Sequence, residues 1–348
     1  MRLPESAAAE NSQRQITSTD PWLRWFSKVT CSATLFLIFA GAMVKSTDSG
    51  LAVPDWPLSY GMLFPPMIGG VFYEHGHRMV AATVGFLTLC LAISIKFKEQ
   101  RQWVKCLGFL ALGAVVVQGV LGGITVLFFL PTPVSVFHGI LAQVFFILTI
   151  FIAYSQSNER LRRGYMRCET PQRLLRLTIL WTIFILVQLI LGAVMRHTES
   201  GLAIPDFPKM GGSWLPAFNP AMLDAINNFR FDKNLDPVTL AQVFYHFLHR
   251  VGALLILIFL GILNVIAFQT PQRHHRIVRT LLWIDIFVMV QVILGAMTVL
   301  TIKSPLVTSL HVVTGAMILG MSFLLTLRTA PLTLRDFKRS ITQNEGLK

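Results

Sequence analysis

Ser49-Gly50-Leu51-Ala52-Val53-Pro54-Asp55-Trp56-Pro57 returns later in the chain as Ser200-Gly201-Leu202-Ala203-Ile204-Pro205-Asp206-Phe207-Pro208. Working outward, Phe72-Tyr73-Glu74-His75-Gly76-His77-Arg78 returns loosely as Phe244-Tyr245-His246-Phe247-Leu248-His249-Arg250. His138 returns as His311. An internal repeat of this length sets the architecture, because each copy must fold the same way. Around it lie eight apolar segments, roughly 28–45, 72–95, 103–129, 135–155, 174–195, 240–267, 278–302 and 307–327. Each approaches or exceeds the ~20 residues that a helix needs to cross about 30 Å of hydrocarbon.

Composition agrees. The 348 residues are 53% hydrophobic and only 14% charged, against about 25% charged in a soluble domain. In lipid only helices or closed barrels satisfy the backbone, and segments this long are helices. The expected fold is therefore all-alpha and polytopic. Its eight transmembrane helices form two parallel-repeat four-helix bundles. Four crossings per half is an even number, so both halves start on the same side.

Charge sets the orientation. Lys96, Lys98, Arg101 and Lys105 fill one connection, and Arg160, Arg162, Arg163, Arg167 and Arg173 another. Arg273, Arg276 and Arg279 mark a third, and the C-terminal tail carries Arg328, Arg335, Lys338, Arg339 and Lys348. With alternating helices all of these share one side, which the positive-inside rule makes cytoplasmic. The formal net charge of +13 is explained this way and does not call for nucleic acid. Both termini are expected in the cytoplasm. The chain divides into an N-terminal tail (1–27), a first half (28–155), a basic linker (156–173), a second half (174–327) with a long outer loop (196–239), and a C-terminal tail (328–348). Residues 1–20 lack the apolar core of a signal peptide. Cys31, Cys90, Cys106 and Cys168 avoid the two long outer loops, so no disulfide framework is expected.

Each half carries two matched histidines. His138 follows His77 by 61 residues, and His311 follows His249 by 62. All four fall toward the outer ends of their helices. Neutral imidazole is a good ligand for iron, copper or zinc, and haem iron takes axial histidines from two helices. Two histidines are too few for a closed zinc site. A large planar group between helices is the simpler fit. The plain alternative is four ordinary interfacial histidines, and duplication at matched depth weighs against it.

Arg78 and Arg250 directly follow His77 and His249. Buried arginine is costly and is normally paired or functional. Carboxylates of a bound group would suit it, as would snorkelling to the surface. Glu74 lies one turn before His77 on the same face, where the second half has His246. That mismatch suggests that the two pockets differ in role. Glu74 could also simply pair with Arg78. His75, His197, His274 and His275 read as surface or loop residues, and His246 is left open. The two proline-rich loops read as ordered turns that could cap the pockets, with Trp56 or Phe207 at the interface. The longer second loop allows a short surface helix or a partner site. Gln118-Gly119-Val120-Leu121-Gly122-Gly123, Gln188 to Ala193 and Gln291 to Ala296 repeat a Gln and small-residue pattern suited to helix packing.

With these residues in view, the chain resembles the haem A synthase family over about residues 28–327. The marks are Ser49 to Pro57, Glu74-x-x-His77-Arg78, His138, His249-Arg250 and His311. The resemblance implies an oxidoreductase that converts the C8 methyl of haem O to the formyl of haem A for cytochrome oxidase assembly. It implies a substrate haem near His77 and His138, with Glu74 as the functional acidic residue there. It implies a haem b cofactor on His249 and His311, passing electrons to the first pocket. A direct basic role for Glu74 is a further hypothesis. The metal ligands would be His77, His138, His249 and His311, with Arg78 and Arg250 toward the cofactors. A haem O synthase as supplier, an electron donor and the lipid bilayer are the expected partners. A homo-oligomer is compatible, and the location would be the bacterial cytoplasmic membrane.

Some bacterial members carry a cysteine pair in the first outer loop. This chain has none there, so it resembles the cysteine-free branch. The competing reading is a di-haem b electron-transfer protein without haem-modifying activity. A transporter or a membrane scaffold would leave the four histidines unexplained.

Overall fold

The computed structural model describes residues 20–163, 171–269 and 275–330. Among these, eight helices are long and apolar enough to cross a membrane: α1 (Pro21–Ser46), α2 (Gly70–Lys98), α3 (Gln102–Leu127), α4 (Thr132–Ser155), α5 (Gln172–His197), α6 (Leu240–Gln269), α7 (His275–Leu300) and α8 (Pro305–Thr329). The protein is a multi-pass membrane protein. No strand occurs among the described residues, only single bridges within the two outer loops.

Local chemistry sets the ends. Pro21, Pro133 and Pro305 lie in the first turns of α1, α4 and α8, where a missing N–H costs nothing. The Asp20 side chain caps α1 by accepting from the Trp22 amide at 2.9 Å. This cap starts α1 at Pro21, seven residues before the apolar window. The expected tail boundary at 27 moves accordingly, because Arg24 and Lys28 dilute a turn that is nevertheless helical. Likewise His275 opens α7 rather than lying in a loop, and Arg328 lies inside α8. Part of the basic linker is a short helix, Asn158–Arg163. Cys168, Arg167, Arg273, His274 and most of both tails lie outside the described residues.

The helices bury small and hydroxylated residues and turn large apolar ones outward, as lipid-facing helices do. In α1 the buried side is Leu23, Ser27, Thr30, Thr34, Ile38 and Ala42, while Trp25 and Phe36 are exposed. Successive helices pack side by side; α1 also meets α4, and α5 meets α8. α8 packs on α1, α4, α5 and α7 and is the most enclosed of the eight. Gly320 of α8 lets Phe146 and Ile150 of α4 approach; a methyl there would lie 2.9 and 2.7 Å from their side chains. Side-chain hydrogen bonds fix α5 to α8. Trp181 Nε1 donates to Ser322 Oγ at 2.7 Å, and Thr178 and Thr182 pair with Thr329 and Thr326 at 2.8 and 2.9 Å.

Candidate haem-binding site

The repeated outer loops fold back over the ends of α2 and α6. The Asp55 carboxylate accepts from the Tyr60 and Gly61 amides at 2.7 and 2.8 Å. Asp206 does the same with Gly211 and Gly212 at 2.7 and 2.9 Å. These hydrogen bonds, first Gly61 and then Tyr60, hold the exposed Asp55 carboxyl below its usual range. Gly61, Gly211 and Gly212 have φ of 68°, 68° and 81°, the left-handed region that glycine enters freely. The loops are thus ordered turns. In the second loop, Pro220–Phe231 forms a short helix whose Met222 and Ile226 pack with Ile204, Val238 and Val243.

Each loop is held from below by the residues that flank the histidines. Glu74 Oε2 accepts from the Val53 amide at 2.7 Å, and Arg78 Nη2 donates to Glu74 Oε1 at 2.5 Å. Arg78 also donates to the Asp55 and Leu58 carbonyls, each at 2.7 Å. In the second half His246 Nδ1 faces the Ile204 amide at 3.1 Å, and its Nε2 faces Arg250 Nε at 3.2 Å. Arg250 donates to the Asp206 and Lys209 carbonyls at 2.8 and 2.9 Å. Glu74 and His246 therefore occupy one structural role. A carboxylate can accept both donors; a neutral imidazole has one acceptor nitrogen and can satisfy only one. The sequence reading offered Arg78 and Arg250 either a carboxylate of a bound group or the surface; these hydrogen bonds run to loop carbonyls and to Glu74 or His246. It also placed His75 at the surface, whereas His75 is 6% exposed and shares a 2.8 Å hydrogen bond with Ser59. The folded-back loop covers a helix face that would otherwise be free.

The four matched histidines share one setting. A methyl added to Gly41 of α1 would lie 3.0 Å from His77 Cε1. The same construction puts Gly122 of α3 at 3.5 Å from His138, Gly192 of α5 at 3.1 Å from His249, and Gly295 of α7 at 3.1 Å from His311. Each ring thus lies against a glycine on the preceding helix, in space that a side chain would fill. All four are half-buried rather than sealed in the core. The Nδ1 atoms of His77, His138 and His311 are buried without a hydrogen-bond partner. Unsatisfied buried nitrogens are uncommon in a finished core and fit side chains prepared for a ligand.

Glutamines one turn before three of these glycines reach the histidine segments. Gln118 Nε2 donates to the His138 carbonyl and Gln188 Nε2 to the His249 carbonyl, both at 2.8 Å. Gln291 Nε2 lies 3.4 Å from His311 Nε2. The equivalent of these glutamines in α1 is Leu37, so His77 lacks this support. The sequence showed the Gln-x-x-x-Gly pattern; its link to the histidines needed coordinates.

The ring centroids of His249 and His311 are 6.5 Å apart, tilted by 68°. Two imidazoles on opposite sides of one metal, each bound at about 2.0 Å, would have centroids roughly 6 Å apart. The separation of the pair is close to that span. Among the described residues no group of three or more His, Cys, Asp or Glu side chains converges as a metal site. Over the first pocket, Trp56 packs on α3 so closely that a methyl on Gly123 would lie 2.8 Å from its ring. In the second half the matching pair is Phe207 and Ala296.

Residues 69–324 match the model of the COX15-CtaA family, described as cytochrome oxidase assembly protein. Several curated relatives are haem A synthases. That of Halalkalibacterium halodurans is 26% identical over 302 residues, covering 83% of this chain and 91% of the relative. That of Lysinibacillus sphaericus is 27% identical over 306 residues, covering 86% and 92%. That of Pelagibacter ubique is 25% identical over 358 residues, covering 90% and 97%. The chain belongs to the COX15-CtaA family of cytochrome oxidase assembly proteins, the family of the haem A synthases.

Proposed function

We propose that this protein is a haem A synthase that oxidises the C8 methyl of haem O to a formyl group. The observation that carries the reading is the repeated seating of His77, His138, His249 and His311 against glycines beneath two clamped loops. His77 and His138 would hold the substrate haem O. His249 and His311 would hold a resident haem b, which supplies electron transfer when bound. Glu74 acts here as a positioning residue, because both its oxygens are taken by Val53 and Arg78. It fixes the cap over the first pocket one turn from His77. Trp56, packed on Gly123 beside Gly122, limits water there.

The halves would be parallel four-helix units with both termini on the cytoplasmic side of the bacterial inner membrane. The pockets would then open toward the outer face. A haem O synthase supplies the substrate in this scheme, and a separate donor supplies electrons.

The test is extraction and chromatography of haems from the purified protein, expressed with a haem O supply. Haem A together with haem b is the expected result. Haem b alone, with no conversion after reduction and exposure to oxygen, would instead indicate an electron carrier. Loss of haem b in His311→Ala, with haem O retained, would separate the two pockets.

A further inference from the structure

Arg196 lies on α5 four residues beyond Gly192. Residues four apart share a helix face, so the side chain stands one turn outward from the glycine that meets His249. Its Nη2 donates to the Ala42 carbonyl at 2.7 Å and to Ser46 Oγ at 3.0 Å, both on α1. Ser46 Oγ is also 3.0 Å from Ser309 Oγ on α8. This chain of contacts places the guanidinium level with residues 308–309, just outward of His311. Its other terminal nitrogen, Nη1, is buried and has no partner. The acidic side chain nearest in sequence, Glu199, is held by Lys45 and Lys303.

A second unpartnered donor stands on α8, one residue before Ser309. Thr308 lies three residues before His311 and shares its face. Its hydroxyl is buried and unpartnered. Elsewhere in these helices threonine hydroxyls bond the carbonyl four residues back, as in Thr34, Thr88 and Thr298. A buried guanidinium nitrogen and a buried hydroxyl, both free and both beside one histidine pair, are costly unless an acceptor completes them. The acceptor that suits a fixed guanidinium fork is a carboxylate. Arg250, the other arginine of this half near the pocket, is committed to loop carbonyls.

We propose that Arg196 and Thr308 bind a carboxylate side chain of the haem held by His249 and His311, an inference that rests on the haem reading of that pocket. The first half repeats the arrangement in altered form. Lys45 stands four residues beyond Gly41, and Ser135 stands three before His138 with its hydroxyl buried and unpartnered. Lys45, however, already pairs with Glu199 of the other half. The arginine with an unpartnered terminal nitrogen among the described residues thus stands by the second pocket.

The test uses the full chain with His77→Ala and His138→Ala, so that only the second pair can ligate. Protein purified in detergent from haem-limited cells is titrated with iron protoporphyrin IX and with its dimethyl ester. The low-spin absorption spectrum reports binding. The parent should prefer the free diacid by roughly tenfold or more, the value of a charge-assisted hydrogen bond. Arg196→Gln should abolish that preference by weakening the diacid alone, and Thr308→Val should narrow it. Unchanged ester binding in Arg196→Gln shows an intact pocket. If that variant binds neither form, Arg196→Lys and Thr308→Val serve instead. A parental preference persisting in all the variants that bind overturns the proposal. A parent with no low-spin spectrum sensitive to His311→Ala overturns the haem reading itself, and the proposal with it.

Discussion

Glu74 Oε2 accepts the Val53 amide at 2.7 Å, so the helix that carries His77 also fastens the loop above it. Glu74 is 4% exposed and His246, its counterpart, 3%. The mismatch between the halves therefore lies in how firmly each loop is held. In the first half a carboxylate satisfies an amide and a guanidinium together. In the second an imidazole can accept from only one.

Removing the carboxylate should loosen the first loop before it touches the histidines. Glu74→Ala leaves Arg78 without its carboxylate partner, and breaking a buried pair costs about 3 kcal/mol. The 49–69 segment should then be cut faster in limited proteolysis, and haem A production should fall. Glu74→Gln keeps an acceptor for Val53 and should lie between the two in both measurements. If Glu74→Gln is cut no faster than the parent yet makes no haem A, a direct proton-transfer role replaces the positioning one.

Trp56 and Gly123 pack together, and the corresponding positions of the second half are Phe207 and Ala296. Gly123→Ala forces a methyl into the indole, and overpacking of this kind costs roughly 1–3 kcal/mol. Trp56→Phe in the same chain should restore most of the lost thermal stability. Additive losses in the double variant would show that the two residues do not share this contact.

Much of this was legible in the sequence. Eight long apolar segments and the matched histidines need only periodicity and counting. The arginines were harder, because an arginine beside a candidate ligand reads equally well as a partner of a bound carboxylate or as a side chain snorkelling to the surface. Folding the loop back puts six carbonyls within their reach across the two halves: those of Val53, Asp55 and Leu58 for Arg78, and of Ile204, Asp206 and Lys209 for Arg250. His75 was missed for the same reason, since a partner 16 residues away in a loop leaves no helical period. Gly122, Gly192 and Gly295 were visible as packing residues, whereas Gly41 follows no glutamine and was not singled out. That each faces a histidine on the next helix depends on helix rotation, which composition does not encode.

The glycine seats make a direct prediction. Gly192→Ala and Gly295→Ala each place a methyl 3.1 Å from a histidine Cε1, closer than carbon atoms normally pack, at roughly 3.5–4.0 Å. The imidazole must turn to relieve this. Each variant should lose most of its low-spin haem b spectrum while remaining folded by circular dichroism. Gly261→Ala, whose methyl meets nothing within 4 Å, should keep the spectrum. Retention of full haem b in Gly192→Ala and Gly295→Ala would show that these rings do not ligate where they stand.

Acid stability should depend on Glu99, which lies beyond the end of α2 on the basic side. Burial pushes its carboxyl up, but hydrogen bonds from Arg101 and Gln156 and the Arg101 charge outweigh this and bring it down to about 2. Arg101 in turn donates to the Ser155 carbonyl at 2.9 Å, and Gln156 Nε2 to Glu99 at 2.9 Å, so the carboxylate joins α2 to the end of α4. A carboxyl depressed on folding binds protons more readily when unfolded, so its contribution is complete above its ordinary value of 4.5. That contribution is lost as pH falls from there toward about 2. Thermal unfolding in detergent should therefore show a parent whose melting temperature drops across this window. Glu99→Gln should start lower at neutral pH and lose less on acidification, so that the two curves converge near pH 2. Parallel curves throughout would mean that the Glu99 carboxylate adds nothing to the folded state.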